Sequence, residues 1–205
     1  MTFLDFKQSL KALPIFSFKE IQKIFPLFDR KRITEWKDKG YITQIAKGFY
    51  YFPETEVSEE FLFYASNKIY EPSYISLETA LSYYNLIPEG SFSQTAVSTR
   101  NTTTFISPLG NFSYKMIKPS IYFGYTLQKF NGGIYKIAEA EKCLLDFLYF
   151  NPKFKNPNKI LGLRFDFNHF KEIADMSKLR KYLVLYNNKE LEKRYNRLEK
   201  VLGSI

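Results

Sequence analysis

Pro14, Pro26 and Gly40 cut the start of the chain into three short segments, each with the apolar spacing of a helix and none free to run into the next. In the first, Phe3, Phe6, Leu10 and Leu13 recur three and four residues apart, which predicts an amphipathic helix stopped by Pro14. Ser17 then precedes Phe18-Lys19-Glu20, the spacing at which a hydroxyl and a carboxylate cap the first turn of a helix reciprocally. That second helix carries Phe18, Ile21 and Phe25 on its buried stripe and closes at Pro26. Asp29 is placed to cap a third helix, Arg30 to Lys39, which Gly40 terminates.

Only Ile33 and Trp36 are large and apolar in the third helix, so they define its inward face and leave Arg30, Lys31, Thr34, Glu35 and Lys37 outside. Tyr41 to Phe52 follows as two strand-like runs, rich in β-branched and aromatic residues, around Lys47-Gly48. The order helix, helix, basic helix, glycine, strand, basic turn, strand predicts a winged helix-turn-helix over residues 1–53. In such a module the third helix enters the major groove, while the wing and the start of the second helix hold phosphates. The expected contacts to double-stranded DNA are therefore Ser17, Arg30, Lys31, Arg32, Thr34, Glu35, Lys37 and Lys47. A protein-docking module built from the same elements is the competing expectation.

Charge is distributed unevenly. Residues 1–53 hold ten basic and five acidic side chains, residues 54–150 seven and ten, and residues 151–205 thirteen and six, within a total of +9. Basic ends flanking a mildly acidic middle suit a polyanionic partner, because cations near phosphates release condensed counterions.

Residues 54–205 predict a larger α+β domain. After the acidic stretch Glu54 to Glu60 comes a helix through Phe61 and Ile69, and then one from Ser76 to Asn85. Strands are expected at 95–99, 102–106 and 112–117, at Tyr122–Tyr125 and at Ile134–Ile137, in a mainly antiparallel sheet. A helix from Ala140 to Tyr149 precedes a linker-like run, Asn151 to Asn158. The chain then ends in a helical tail from about residue 165, broken at Asn187-Asn188. Its last helix presents Lys189, Lys193, Arg194, Arg197 and Lys200, a second surface suited to phosphate.

The order of these parts, with Tyr74-Ile75-Ser76-Leu77-Glu78-Thr79-Ala80-Leu81, Leu86-Ile87-Pro88-Glu89, Val97-Ser98-Thr99-Arg100 and Ile137-Ala138-Glu139-Ala140-Glu141-Lys142-Cys143-Leu144-Leu145-Asp146, resembles the AbiEi family of antitoxin-type transcriptional regulators. The resemblance runs from about residue 15 to about residue 150. It implies that the N-terminal domain represses its own toxin-antitoxin operon by binding operator DNA. It implies also that the second domain counters a nucleotidyltransferase-like toxin without a stable complex, in abortive infection. Cys143 departs from the alanine usual in the family, and the tail from Asn151 matches none of its motifs. The motif residues to follow are Ser76, Glu78, Arg100, Glu141, Lys142 and Asp146. On structural grounds alone, Lys142 and Asp146 read as an i, i+4 ion pair, and Arg100 as a tie to a carboxylate. The alternative function is a stand-alone winged-helix transcription factor whose second domain binds a ligand or partner.

Nothing in the sequence has the pattern of an enzyme. The single histidine, His169, has no second histidine or nearby cysteine to share a metal. Glu139 and Glu141, two apart at a helix start, are expected to diverge, and Cys143 reads as a small core residue. No metal or other cofactor is expected. No run is apolar for the length of a membrane span and the first residues lack a signal-peptide pattern, so a cytoplasmic protein without a membrane partner is the expectation.

Overall fold

A computed structural model of the chain describes residues 1–88 and 93–203, so Glu89 of the Leu86–Glu89 motif lies outside the described residues. Three helices form at the start where the punctuation predicts them: α1 (Phe3–Leu10), α2 (Phe18–Ile24) and α3 (Lys31–Asp38). Thr2 and Asp5 cap α1 reciprocally, the Thr2 N–H donating to the Asp5 carboxylate at 2.8 Å and the Asp5 N–H to Thr2 Oγ1 at 3.2 Å. α3 begins one residue later than expected, with Arg30 at its N-cap, and Asp29 just before it accepts the Lys31 N–H on Oδ1 at 2.9 Å. Gly40 then turns the chain at φ +72°, a conformation that favours glycine.

Between α1 and α2 lies a strand too short for any periodicity to reveal, β1 (Phe16–Ser17). It joins the expected hairpin of β2 (Thr43–Ala46) and β3 (Phe49–Tyr51) in a three-stranded antiparallel sheet of order β1-β3-β2. Phe6, Leu10, Phe16, Ile21, Ile33 and Trp36 share one core, with the Phe6 and Trp36 rings 4.5 Å apart. Ile15, Ile45, Ala46 and Tyr51, by contrast, pack into the larger core of the following residues. An ion pair from Glu20 on α2 to Lys68 at 2.7 Å crosses the same boundary.

The remainder is an α+β assembly around a six-stranded sheet of order β6-β7-β5-β4-β9-β8, comprising β4 (Ser73–Ile75), β5 (Ser93–Ser98), β6 (Thr103–Ser107), β7 (Gly110–Met116), β8 (Tyr125–Phe130) and β9 (Gly133–Ala138). Three neighbouring pairs are antiparallel, β4 with β5, β6 with β7 and β8 with β9, while β4–β9 and β5–β7 run parallel. One strand expectation needs correction. The strand expected at Tyr122–Tyr125 begins only at Tyr125, because a 3₁₀ turn at Pro119–Ile121 precedes it, and it continues to Phe130. Asn131 and Gly132, both at positive φ, then form the tight turn into β9, and the Asn-Gly pair was the signal for that hairpin.

Helices α4 (Glu59–Ile69), α5 (Leu77–Tyr83) and α6 (Ala140–Phe150) pack with this sheet. Every residue of α6 from Ala140 to Leu148 is buried, which makes it the central helix of the fold. The stretch expected as a linker is structured instead. Pro152 and Pro157 open a 3₁₀ turn and α7 (Pro157–Gly162), positions where a missing N–H does no harm. Phe154 and Ile160 are buried there, so the helical tail starts earlier than about residue 165. It continues through α8 (Phe167–Ile173), α9 (Met176–Tyr186) and α10 (Lys189–Leu202). Asn187, at φ 45°, breaks the last two apart, and the Asn188 side chain caps α10 by accepting the Leu191 N–H at 3.0 Å.

Candidate nucleic-acid interface

Ile33 and Trp36 are buried on α3, and Arg30, Lys31, Thr34, Glu35 and Lys37 are exposed, as the spacing requires. Arg32 behaves differently from the expectation. It stands one turn before Trp36, so it falls beside the inward face. Its guanidinium lies 6.0 Å from the Trp36 ring centroid and donates to the Met1 carbonyl at 2.6 Å. Arg32 thus ties the chain terminus to α3.

The Arg30 guanidinium lies 5.2 Å from the centroid of the Phe18 ring, at the start of α2. Phe18 in turn lines a cleft of about 450 Å³ together with Lys19, Lys23 and, across from them, Gly48 at the hairpin turn. The start of α3, the first turns of α2 and the hairpin tip therefore form one continuous surface. Lys19, Lys23 and Lys47 are exposed on these elements. Ser17 is committed elsewhere. Its N–H and hydroxyl donate to the Glu20 carboxylate at 2.8 and 3.0 Å, so its one hydroxyl hydrogen is not directed at an incoming phosphate. Burial pushes the Glu20 carboxyl up, but Lys68 and the Ser17 N–H more than offset it and hold the group below its ordinary range.

The motif residues of the second region do not form a single cluster. Ser76, Lys142 and Asp146 come together in the interior. Asp146 Oδ1 accepts from the Lys142 ammonium and the Tyr186 hydroxyl, each at 2.5 Å, and Oδ2 from the Ser76 and Tyr74 hydroxyls at 2.8 and 2.9 Å. The rings of Tyr186, Phe123 and Tyr74 surround the ammonium at 4.7, 5.2 and 5.4 Å. Burial pushes Lys142 below its ordinary pKa against the pull of Asp146, and it pushes Tyr74 and Tyr186 well above theirs. Glu78 lies in a separate cleft with Thr95 and Lys115. Among the described residues, Arg100 meets no carboxylate. Its guanidinium stacks 4.2 Å from the Tyr70 ring centroid and donates to the Glu71 carbonyl at 3.1 Å.

Glu141 and Glu139 converge where divergence was expected, since both reach Lys178 of α9 at 3.3 Å. Glu141 also accepts the Asp175 N–H at 2.7 Å and Glu139 the Tyr182 hydroxyl at 2.5 Å. Glu139 is the N-cap residue of α6, outside the helical repeat, so two-residue spacing does not separate the side chains there. On α10, Arg194 leaves the expected phosphate-facing surface: it is 5% exposed, and among the described residues its Nε has no hydrogen-bond partner. Arg197 donates to the Lys155 carbonyl at 2.6 Å, and Lys193 pairs with Glu190 at 3.0 Å.

Among the described residues, no group of three or more His, Cys, Asp or Glu side chains is placed to hold a metal. Cys143 is buried, and burial raises its thiol well above the usual range, away from the reactive thiolate. His169, in the first turn of α8, places its ring Nδ1 3.3 Å from the Glu172 carboxylate, and its N–H donates to Asp166 Oδ1 at 2.9 Å. No described helix is long and apolar enough to cross a membrane. No protein-family model matches the chain, and a search of curated proteins finds no match.

Proposed function

We propose that the chain is a DNA-binding autorepressor and antitoxin: residues 1–53 act as a winged helix-turn-helix on operator DNA, and the rest counters a nucleotidyltransferase-like toxin without a stable complex. The observation that carries the DNA half is the surface from Arg30 through Phe18 to the hairpin turn, on which Lys19, Lys23 and Lys47 are exposed around a cleft that also holds Glu20 and Glu71. An eight-residue helix is about 12 Å long, comparable to the width of the major groove. With α3 in the groove, Lys31 and Thr34 face base edges. Arg30, Lys37, Lys47, Lys19 and Lys23 meet phosphates on either side.

The antitoxin half rests on the family resemblance. Its motifs coincide with β4, α5, the end of β5, β9 and α6, so they fall on residues that build the second region. A gel shift with the gene's own upstream DNA tests the first half. Affinity is expected to fall steeply with salt, and Arg30→Ala, Lys31→Ala and Lys37→Ala together to reduce the log–log salt slope by about 2, one for each of the phosphate contacts of Arg30 and Lys37. Binding that is absent, or insensitive to both salt and the triple variant, contradicts the reading. Co-expression with the product of an adjacent nucleotidyltransferase-like gene tests the second half, and failure to restore growth contradicts it.

A further inference from the structure

The middle of the large sheet contains an opening. β4 and β9 are parallel neighbours but pair at a single register, Ile75 with Ile137, and toward Ser73 the pairing ceases. Asn67 of α4 occupies the place of a strand partner, its Oδ1 accepting the Lys136 N–H at 2.7 Å and its Nδ2 donating to the Lys136 carbonyl at 3.4 Å. Beside it is a cleft of about 330 Å³ lined by Asn67, Glu71, Pro72, Ser73, Ile134 and Lys136.

One polar group of this cleft is buried without a hydrogen-bond partner, and two charged groups beside it form no ion pair among the described residues. Ser73 is 2% exposed and, among the described residues, its hydroxyl has no hydrogen-bond partner, an uncommon state for a buried donor. The Lys136 ammonium rests 5.2 Å from the Tyr125 ring centroid, and among the described residues it forms no ion pair. The Glu71 carboxylate, on the same cleft, likewise forms none. A cation, a hydroxyl and an anion lining one cleft complement a molecule carrying both charges. The volume is at the small end for ligand pockets, which run from about 300 to 1,000 Å³.

We propose that this opening binds a small zwitterion of the free amino acid type, its carboxylate held by Lys136 and the Ser73 hydroxyl and its ammonium by Glu71. Pro72 and Ile134 supply the apolar wall. Glu71 also lines the cleft that α2 and the hairpin tip share, so the ligand sits beside the basic surface described above.

Titration calorimetry of the full chain with each of the common L-amino acids in turn, without DNA, tests this apart from any DNA binding. At least one is expected to bind with a Kd below about 1 mM. Its decarboxylated amine and its deaminated acid are expected to bind at least about tenfold more weakly, as are Glu71→Gln and Lys136→Met proteins of unchanged Tm. Ser73→Ala is expected to weaken binding by roughly fivefold. The proposal is overturned if no amino acid of the panel binds, if analogues lacking either charge bind equally well, or if the variants bind like the parent.

Discussion

Lys142 and Asp146, one helical turn apart on α6, meet at 2.5 Å with neither side chain exposed to solvent. Removing one member of such a buried pair is expected to cost about 3–5 kcal/mol, because the other charge is left in a medium that cannot solvate it. The two deletions are not equivalent. In Lys142→Met the carboxylate retains donors from Tyr74, Ser76 and Tyr186, whereas in Asp146→Asn the ammonium retains one hydroxyl oxygen, a neutral amide and three ring faces. Urea denaturation is expected to find Asp146→Asn the more destabilising, with m unchanged. The opposite order would mean that the ammonium is the better solvated partner.

The same interior network sets an alkaline limit. Tyr74 and Tyr186 have folded pKa values well above their ordinary 10.0, first through burial and then through the charge of Asp146. Above pH 10 the unfolded chain loses these protons while the folded chain keeps them, so the folded state binds more protons and stability falls as pH rises. Their contribution is fully present below about pH 10 and is lost on approach to the folded values. Phenolate absorbance followed against pH is expected to show late-titrating tyrosines whose ionisation coincides with loss of native circular dichroism. Tyr186→Phe should remove one of them. Titration of all tyrosines in the ordinary range, with the fold intact, would contradict this.

Gly124 and Gly48 both sit at positive φ but differ in their surroundings. A Cβ on Gly124 would meet Tyr182 at 3.0 Å and the Lys142 stem at 3.2 Å, whereas one on Gly48 would meet nothing within 4 Å. Gly48→Ala is expected to cost about 1 kcal/mol from backbone strain alone, and Gly124→Ala distinctly more, since α9 must move off Lys142. Thermal denaturation of the two variants side by side decides this, and equal shifts would argue against close packing at Gly124.

For DNA, the geometry separates cations that look alike in sequence. Lys47→Ala is expected to reduce the salt slope by about 1, while Arg32→Ala and Arg194→Met leave it unchanged. Arg32 is tied to Met1, and Arg194 lies inside the tail. Because its Nε is buried without a partner among the described residues, Arg194→Met is further expected to leave Tm unchanged or raise it. A loss of DNA affinity in Arg194→Met would return α10 to the nucleic-acid surface.

Features governed by near neighbours were legible in the sequence. The Ser17–Glu20 box, the Asp29 contact at the start of α3, the inward Ile33 and Trp36, the hairpin about Lys47-Gly48 and the Asn187 break all depend on residues within a turn or two. Arg32 was legible in principle, since its position one turn before Trp36 places it beside the buried stripe. β1 and β4 were not, because two or three residues carry no periodicity and these strands exist only through their partners β3, β5 and β9.

By itself the sequence determined the longer helices and strands in their order, the α+β class and which helix of the first three turns its charges outward, since caps, punctuation and periodicity act over a few residues. Only the tertiary structure decided which polar side chains lie inside. Lys142 is enclosed because Tyr186 arrives from 44 residues away, and Asp146 is satisfied by Tyr74 from 72. The opening beside Ser73 exists because β4 and β9, distant in sequence, pair at one register and then separate. Burial of a charge and divergence of two strands are set by contacts between remote segments, and no local pattern encodes them.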